Sequence, residues 1–213
     1  MKYKCIIFDC DGVLVDSESI SAKVFREMAM ELGCNLDFET VRKQITGTSM
    51  KENLKFFAEC VGHELSDDFE SEFRRRSYEA FKTELKPVKG IHSLLEKITV
   101  PYCTASSGPQ KKIRLNLTTT NLIGKFNDNI FSSYDIGSWK PEPDIYLHAA
   151  KQMGFQPQEC AIIEDSLTGV KAAKAGGFDV FAFTRKGNEE AYEKLGATVF
   201  FDMNELNNML QES

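Results

Sequence analysis

Residues 4–12 read KCIIFDCDG, and this stretch sets the architecture of the whole chain. Four apolar residues, Cys5 to Phe8, form a β-favouring run that ends abruptly at two aspartates and Gly12. A run of this length and composition predicts a buried strand that leads into a loop. Since a strand cannot satisfy its own backbone hydrogen bonds, it must pair with strands from later in the chain.

The segment after this strand has a different character. From about Ser17 to Leu85 apolar residues recur at helical spacing, as at Ile20, Val24 and Met28, and no strand-like alternation is present. The pattern predicts an all-helical insert over residues 16–86. The remaining residues, 1–15 and 87–213, then form one discontinuous domain.

After Pro87 short apolar runs alternate with helical patterns. Such alternation predicts an α/β fold, with a Rossmann-like, mainly parallel sheet covered by helices on both faces. The predicted strands are 4–8, 100–104, 129–131, 161–163, 178–183 and 198–200, and the predicted helices are 109–117, 143–153, 167–175, 189–195 and 203–210.

Composition limits the classes of function. The 213 residues are 42% hydrophobic and 27% charged, with a net charge of −6, which argues against a sequence-independent nucleic-acid binder. No apolar run approaches the roughly 20 residues of a membrane span, and no signal-peptide core precedes Asp9. We expect a cytoplasmic monomer without membrane contact. The six cysteines form no Cys-x-x-Cys pair and are expected to be free, buried thiols.

Polar residues cluster where the predicted strands end. In open parallel sheets ligands bind beyond the carboxyl ends of the strands. Four carboxylates at one edge repel one another, so a hard cation is expected to neutralise them, and oxygen ligands suit Mg²⁺. The residues at these ends are Asp9, Asp11, Ser106, Ser107, Glu164 and Asp165.

These residue types fit phosphoryl transfer through a covalent aspartyl phosphate. Asp9 can attack phosphorus, a magnesium ion can neutralise the phosphoryl oxygens, and water can later hydrolyse the acyl phosphate. A second carboxylate, Asp11, can protonate the leaving oxygen and then activate the water.

The order of these residues resembles the haloacid dehalogenase-like hydrolases. Residues 8–18, FDCDGVLVDSE, are similar to the first motif of that family, and in particular of its β-phosphoglucomutase-like branch, whose helical cap is inserted after the first strand. Ser106, Lys140 in WKPEPD, and the Glu164-Asp165 pair match the second, third and fourth motifs in order.

The resemblance implies a role for each of seven residues and a Mg²⁺ cofactor. The nucleophile and the acid/base also bind the metal, the second of them through its backbone carbonyl, and the fourth motif supplies the downstream metal ligands. The second and third motifs hold the phosphoryl oxygens. The nucleophile is Asp9 and the acid/base is Asp11. The downstream metal ligand is Asp165, with Glu164 beside it directly or through water. The phosphoryl oxygens are held by Ser106, the amide of Ser107 and Lys140.

Several reactions within this family remain open. A sugar-phosphate mutase is expected to carry a cap histidine and basic loop residues, where this chain has Ser21, Thr46 and Met50. Asp11 argues against a dehalogenase, and nothing marks Lys23 as the lysine of a phosphonate hydrolase. From another class, the chain could be a catalytically silent binding or regulatory module.

Hydrolysis of a small phosphorylated metabolite is the favoured function. Residues 107–112 and 133–141 resemble members acting on phosphorylated sugars and sugar acids, such as 6-phosphogluconate phosphatase. The run Arg74-Arg75-Arg76, flanked by glutamates, is expected to be a solvated face. The three isolated histidines, His63, His92 and His148, are expected to be structural.

Overall fold

The sheet is fully parallel and has six strands. A computed structural model describes residues 2–45, 48, 50–184 and 187–212 of the protein, without the side chain of Glu212. The strand order is β3-β2-β1-β4-β5-β6, so the order reverses beside β1. The strands are β1 (Cys5–Phe8), β2 (Tyr102–Ser106), β3 (Ile130–Ser132), β4 (Cys160–Glu164), β5 (Asp179–Phe183) and β6 (Thr198–Phe200).

The predicted α/β class is confirmed, with small shifts in the strands. The second strand ends at Ser106, two residues later than predicted, and β4 extends to Glu164. Ser106 and Glu164 are therefore the last residues of strands rather than the first residues of loops. Pairing of Ser106 with Ser132 and of Glu164 with Ala182 extends the ladders by these residues.

Helices cover both faces of the sheet because successive residues of each strand point to opposite sides. Ile6 and Phe8 of β1 belong to one buried cluster, and Cys5 and Ile7 belong to the other. The helices of the α/β part are α5 (Ile91–Lys97), α6 (Gln110–Thr119), α7 (Ile123–Phe126), α8 (Ser133–Ile136), α9 (Asp144–Met153), α10 (Leu167–Ala175), α11 (Glu189–Lys194) and α12 (Met203–Glu212). Of these, α5, α7 and α8 were not predicted.

Four helices lie between β1 and α5, and no strand occurs among the described residues there. They are α1 (Glu18–Glu31), α2 (Phe38–Ile45), α3 (Met50–Val61) and α4 (Phe69–Glu84), which together are called the helical segment below. The segment has its own buried cluster, in which the Phe25 ring stacks on those of Phe57 and Phe73 at centroid distances of 4.6 and 3.8 Å.

The cysteine prediction is wrong for two of the six residues. Cys34 and Cys60 form a disulfide within the helical segment, with their Cα atoms 5.8 Å apart. They are brought together by the packing of α3 against the end of α1, which their separation of 26 residues did not reveal. The other four cysteines are free and buried, as expected.

The chain enters and leaves the helical segment at one place. The Asp16 amide donates to the Lys86 carbonyl at 2.9 Å, and the Val88 amide donates to the Leu14 carbonyl at 3.0 Å. Val15 and Pro87 form an antiparallel bridge between these two bonds. This paired crossing lies at the boundaries predicted for the insert, whose independence as a domain stays a prediction.

Across the described residues, none of the helices combines the length and the apolar composition that a membrane crossing requires.

Candidate active site

One cavity of about 980 Å³ lies between the helical segment and the carboxyl ends of β1, β2 and β4. Its walls contain all seven residues predicted from the sequence. The reversal of strand order beside β1 leaves a crevice where the ends of β1 and β4 meet, and the first and fourth motifs lie there. The seven residues are Asp9, Asp11, Ser106, Ser107, Lys140, Glu164 and Asp165.

Asp9 is held by Lys140 at the end of β1. The Lys140 ammonium donates to Asp9 Oδ1 and, at 2.6 Å, to Glu164 Oε1. Its side chain is only 5% exposed, and it also lies 4.7 Å from the centre of the Tyr146 ring. Burial alone would lower the pKa of Lys140, but the two carboxylates raise it well above its usual value. Lys140 therefore stays charged.

Asp9 itself is buried, with 7% of its surface exposed, rather than on an open rim. Burial raises its pKa most, Lys140 lowers it, and the negative charges of Glu164 and Asp11 raise it further, to about 7. No described residue donates a hydrogen bond to its second oxygen, Oδ2. That oxygen faces a cavity, which is what a nucleophile requires.

The Glu164 carboxylate is surrounded by hydrogen-bond donors. Oε1 accepts from Lys140 at 2.6 Å and from the Tyr146 hydroxyl at 2.9 Å. Oε2 accepts from the amides of Asp165 and Ser166 at 2.8 and 2.7 Å, and from the Ser166 hydroxyl at 3.0 Å. Its role as a metal ligand stays untested, but these bonds occupy both oxygens and make Glu164 the support of Lys140.

Asp11 points to different partners from those of Asp9. Its carboxylate accepts from the Ser17 hydroxyl, from the Lys112 ammonium at 2.7 Å and from the Asn116 amide at 3.3 Å. Burial acts to raise the pKa of Asp11, but Lys112 and the Ser17 hydrogen bond outweigh it and the pKa is lowered. Asp11 therefore has a different set of partners from Asp9, although the two residues are only two positions apart.

Asp165 approaches the first motif at a glycine. A Cβ atom on Gly12 would lie 1.8 Å from Asp165 Oδ2, and Gly12 has a φ of +83°. Only glycine tolerates both the positive φ and this close carboxylate. Among the described residues no group donates a hydrogen bond to the Asp165 carboxylate. Burial, followed by the charges of Glu18, Glu164 and Asp9, raises its pKa well above the usual range.

The end of β2 supplies polar groups opposite these acids. The Ser106 side chain is buried and accepts a hydrogen bond from the Gly108 amide at 3.1 Å. The Ser107 amide makes no hydrogen bond to any described residue. A Cβ on Gly108 would lie 3.9 Å from Asp11 Oδ2, which places this loop directly beside the second aspartate.

The charges of the site fit a divalent cation. When Asp9, Asp11, Glu164 and Asp165 are all ionised, their charges outnumber those of the Lys112 and Lys140 ammonium groups by two. Burial and this crowding of acids raise the pKa values of Asp9 and Asp165, and a bound cation would relieve the crowding. In the part of the chain that the structure describes, no three His, Cys, Asp or Glu side chains are arranged to hold a metal. The resemblance implies a site of Asp9, Asp165 and the backbone carbonyl of Asp11, with Glu164 binding directly or through water, and if Glu164 binds through water only two side chains contact the metal.

Comparison with known proteins gives the family. A model of the family described as haloacid dehalogenase-like hydrolase matches residues 3–177.

The chain belongs to this family.

Two curated members of the haloacid dehalogenase-like family match nearly the whole chain. The 6-phosphogluconate phosphatase of Escherichia coli K12 is 32% identical over 206 residues, which cover 96% of this chain and 93% of that protein. The phosphorylated carbohydrates phosphatase of Thermotoga maritima is 28% identical, covering 98% and 99%. The resemblance seen in the sequence is confirmed, and the chain is an enzyme of the phosphoric monoester hydrolase class.

A solved haloacid dehalogenase-like structure has the same fold. The hydrolase from Deinococcus radiodurans, determined with bound phosphate and sodium, superposes with a TM-score of 0.83 at 29% identity. The match covers 99% of this chain and 96% of that one.

Three residues of the site in this hydrolase were not predicted from the sequence. Lys112 and Tyr146 contact the predicted site from helices α6 and α9, and neither was expected to have a role there. Arg74, predicted to be a solvated residue, instead lines the cavity, whereas Arg75 and Arg76 form surface ion pairs as expected. The spacing of Lys112 and Asn116, four residues apart on one helix, could have signalled a shared partner.

The three histidines are not part of the cavity. His63 contacts the Glu64 carbonyl at 2.8 Å, His92 contacts the Thr120 carbonyl at 3.1 Å, and His148 packs against Phe131. Their structural interpretation agrees with these contacts.

Proposed function

We propose that this hydrolase is a Mg²⁺-dependent phosphatase that cleaves a small sugar phosphate or sugar-acid phosphate through an aspartyl-phosphate intermediate. The observation that carries the proposal is the shared cavity wall. A carboxylate with one free oxygen, a second carboxylate beside it and donors from the end of β2 all meet there.

In the first step Asp9 Oδ2 attacks phosphorus and the bond from phosphorus to the leaving oxygen breaks. Asp11 supplies the proton that the leaving alkoxide takes up, so the alcohol departs neutral. Lys140, the Ser107 amide and the Ser106 hydroxyl stabilise the negative charge on the phosphoryl oxygens. Lys140 also fixes Asp9, since its ammonium holds Oδ1.

In the second step water attacks the phosphorus of the aspartyl phosphate. Asp11, now ionised, takes a proton from that water, and the bond between phosphorus and Asp9 breaks to release inorganic phosphate. The Asp9 carboxylate and the proton on Asp11 are regenerated for the next cycle. The same carboxylate thus serves as acid and then as base.

The residues suited to hold Mg²⁺ are Asp9, Asp165 and the backbone carbonyl of Asp11. The Asp165 carboxylate has no donor among the described residues, and within the same residues no backbone amide donates to the Asp11 carbonyl. When bound, the ion neutralises charge on the phosphoryl group and on the two carboxylates. Glu164 serves in this proposal as the support of Lys140 and not as a direct ligand.

The substrate class is supported by the relatives and by the size of the cavity. The two curated relatives are named for 6-phosphogluconate and for phosphorylated carbohydrates. A cavity of about 980 Å³ is large enough for a phosphate with a sugar attached, since ligand pockets typically span roughly 300–1,000 Å³. The helical segment, proposed as a cap domain, roofs this cavity and excludes water from the first step.

Two observations disfavour the sugar-phosphate mutase. Ser21 and Met50 line the cavity at positions where a mutase is expected to have histidine and arginine. The remaining position, Thr46, lies outside the described residues. Without those groups the phosphoryl acceptor in the second step is water.

Phosphate release tests the proposal. The enzyme should release phosphate from p-nitrophenyl phosphate with Mg²⁺, stop when EDTA is added, and fail when Asp9 is replaced in Asp9→Ala. A panel of sugar phosphates, sugar-acid phosphates and nucleotides, ranked by kcat/KM, identifies the substrate. A product that keeps its phosphate at a new position supports the mutase, and the absence of metal-dependent release from every ester supports a silent binding module.

A further inference from the structure

Two exposed aromatic rings face the cavity beside the phosphoryl site. Tyr134 is 47% exposed and Trp139 is 43% exposed, and their rings meet edge to face at 5.3 Å. Both line the cavity that contains Asp9. Trp139 directly precedes Lys140 in the sequence, and the Lys140 ammonium donates to the nucleophile Asp9. Large exposed aromatic surface inside a cavity typically marks a ligand contact.

The helical segment adds an arginine and a glutamate to this wall. Arg74 of α4 donates to the Tyr134 hydroxyl at 2.8 Å, and its guanidinium lies 5.8 Å from the centre of the Tyr134 ring. Its Nε donates to Glu70 Oε1 at 2.8 Å. The remaining nitrogen, Nη1, makes no hydrogen bond to a described residue, so Arg74 keeps donors available next to the Glu70 acceptor.

We propose that Glu70, Arg74, Tyr134 and Trp139, called the Trp139 wall below, bind the non-phosphorylated part of the substrate and determine its specificity. The moiety recognised is a polyhydroxylated carbon chain or ring. This inference rests on the proposed function and extends it to the residues that recognise the sugar.

The chemistry of the wall matches that of a sugar. A sugar presents carbon-bound hydrogens on one face, which pack on the apolar face of an indole or phenol ring. Its hydroxyl groups both donate and accept, and the Arg74–Glu70 pair provides donors and an acceptor side by side. A purely apolar ester would form no hydrogen bonds with Arg74 or Glu70, and an ester without a sugar would not be bound more tightly because of the wall.

The wall also joins the two parts of the molecule. Tyr134 and Trp139 belong to the α/β part, whereas Glu70 and Arg74 belong to the helical segment. A sugar lying on Trp139 would contact both, so recognition requires that the helical segment lie over the site. Specificity and exclusion of water thus depend on one set of contacts.

The chain offers a direct optical probe, because Trp139 is its single tryptophan. In the inactive variant Asp9→Asn with Mg²⁺, we expect an aldose phosphate or a sugar-acid phosphate to shift the Trp139 emission to shorter wavelength. The physical cause is that the bound sugar covers an indole that is otherwise 43% exposed. Inorganic phosphate, which fills only the phosphoryl site, should leave the emission maximum unchanged.

Kinetics with two substrates separates recognition from catalysis. Acetyl phosphate has no hydroxyl groups and no sugar face for the wall to bind, and its acetate leaves without needing a proton, so it reports attack by Asp9 and hydrolysis of the intermediate. Trp139→Ala and Arg74→Leu should each lower kcat/KM for the best sugar phosphate by about tenfold or more, mainly through KM. Both variants should lower kcat/KM for acetyl phosphate much less, so that the ratio of kcat/KM for the sugar phosphate to kcat/KM for acetyl phosphate falls. Arg75 is a neighbouring arginine of α4 that does not line the cavity, so Arg75→Leu is the matched control. It should leave kcat/KM unchanged for both substrates.

Three results would overturn the inference. One is calorimetric binding of a sugar phosphate without any change in Trp139 emission. Another is an equal fall in kcat/KM for the sugar phosphate and for acetyl phosphate in Trp139→Ala, which would show that Trp139 positions Lys140 and does not bind the sugar. The third is unchanged sugar selectivity in both wall variants. A wild-type enzyme that cleaves neither substrate with Mg²⁺ refutes the proposed function itself, whereas the three results above refute only the wall. The comparison of aldose and sugar-acid phosphates identifies which polyol is preferred.

Discussion

Asp11 lies in a setting that suits an ionised carboxylate, although the proposed reaction needs it to carry a proton in one step. Lys112 is the charged partner in this setting, at 2.7 Å, and its side chain is 21% exposed. Desolvation acts to lower the pKa of Lys112, but Asp11 outweighs it and the pKa is raised. A partly buried cation of this kind fixes where the carboxylate points. We therefore regard Lys112 as a positioning residue for the acid/base.

Replacing this cation tests that role. Lys112→Met should lower kcat by about 10- to 100-fold, because correctly placed general acid/base groups contribute roughly 10²- to 10⁴-fold. Lys112→Arg should retain more activity, since it keeps the charge. Lys111→Met, an exposed neighbour on α6, is the control. A normal kcat at saturating substrate in Lys112→Met would remove Lys112 from the mechanism.

Tyr146 gives a second residue-scale prediction. Its hydroxyl donates to Glu164 Oε1 at 2.9 Å in a fully buried position. Tyr146→Phe should lower the free energy of unfolding by about 1.5–3 kcal/mol, the range for a hydrogen bond to a charged group. Tyr102→Phe is the control, because the Tyr102 hydroxyl makes no hydrogen bond to any described residue. Chemical denaturation measures both, and equal stabilities would show that the Tyr146 bond contributes nothing.

At the scale of elements, helix α10 packs against β4 through a glycine. A Cβ on Gly169 would lie 1.8 Å from Glu164 Oε1, so the helix can approach the strand only without a side chain there. The Ser166 side chain caps this helix by accepting from the Gly169 amide at 3.0 Å. The cap and the glycine together fix the Glu164 carboxylate beneath Lys140.

Two glycine substitutions separate packing from intrinsic helix preference. Gly169→Ala should destabilise the protein by about 1–3 kcal/mol and lower activity, because Glu164 must move and Lys140 with it. Gly124→Ala in α7 meets no atom within 4 Å and should be neutral or stabilising by up to about 1 kcal/mol. Thermal unfolding and kcat measure the two effects. Equal behaviour of the two variants would contradict the proposed packing constraint.

Elements whose sequence pattern lies within one short segment of the chain could be predicted from the sequence. All six strands and six of the site residues followed from short apolar runs and from the polar residues at their ends, because parallel strands carry their ligands at one edge. Lys140 was expected only because its motif resembles that of the family. Helices α7 and α8 have only four residues each, too few for a helical period to show.

Contacts between distant elements could not be predicted. The pairing of Arg74 with Tyr134 joins residues 60 positions apart, and that of Lys112 with Asp11 joins residues 101 apart. Their partners are set by how helices dock on the sheet, and a local pattern carries no trace of that docking. The disulfide between Cys34 and Cys60 was missed for the same reason.

For the whole molecule, the crowding of carboxylates around Asp9 and Asp165 predicts that Mg²⁺ stabilises the fold. A ligand that binds only the native state adds about 2.7 kcal/mol at 100 times its Kd, which corresponds to a Tm increase of roughly 5–10 °C at this size. Asp165→Asn should abolish that increase. It should also raise the metal-free Tm, because the substitution removes a partly buried carboxylate that accepts no hydrogen bond from the described residues.

Calorimetry with and without EDTA measures both effects. Asp128→Asn, which replaces a fully exposed carboxylate, should keep the Mg²⁺-dependent increase. If Asp165→Asn responds to Mg²⁺ as the wild type does, Asp165 is not a metal ligand.

The paired crossing at Val15 and Pro87 has a consequence for how such an enzyme can change. Its two chain passages are already hydrogen-bonded to each other, so everything between them could be excised and replaced by a tight turn without breaking the sheet. The helical segment can in that sense be exchanged as a unit. Transplanting the corresponding segment from another phosphatase would exchange Glu70 and Arg74 in one step while Trp139 and the catalytic aspartates stay in place. Evolution could then redirect substrate choice and retain the chemistry, provided that the new segment keeps a donor to Asp11 where Ser17 now donates.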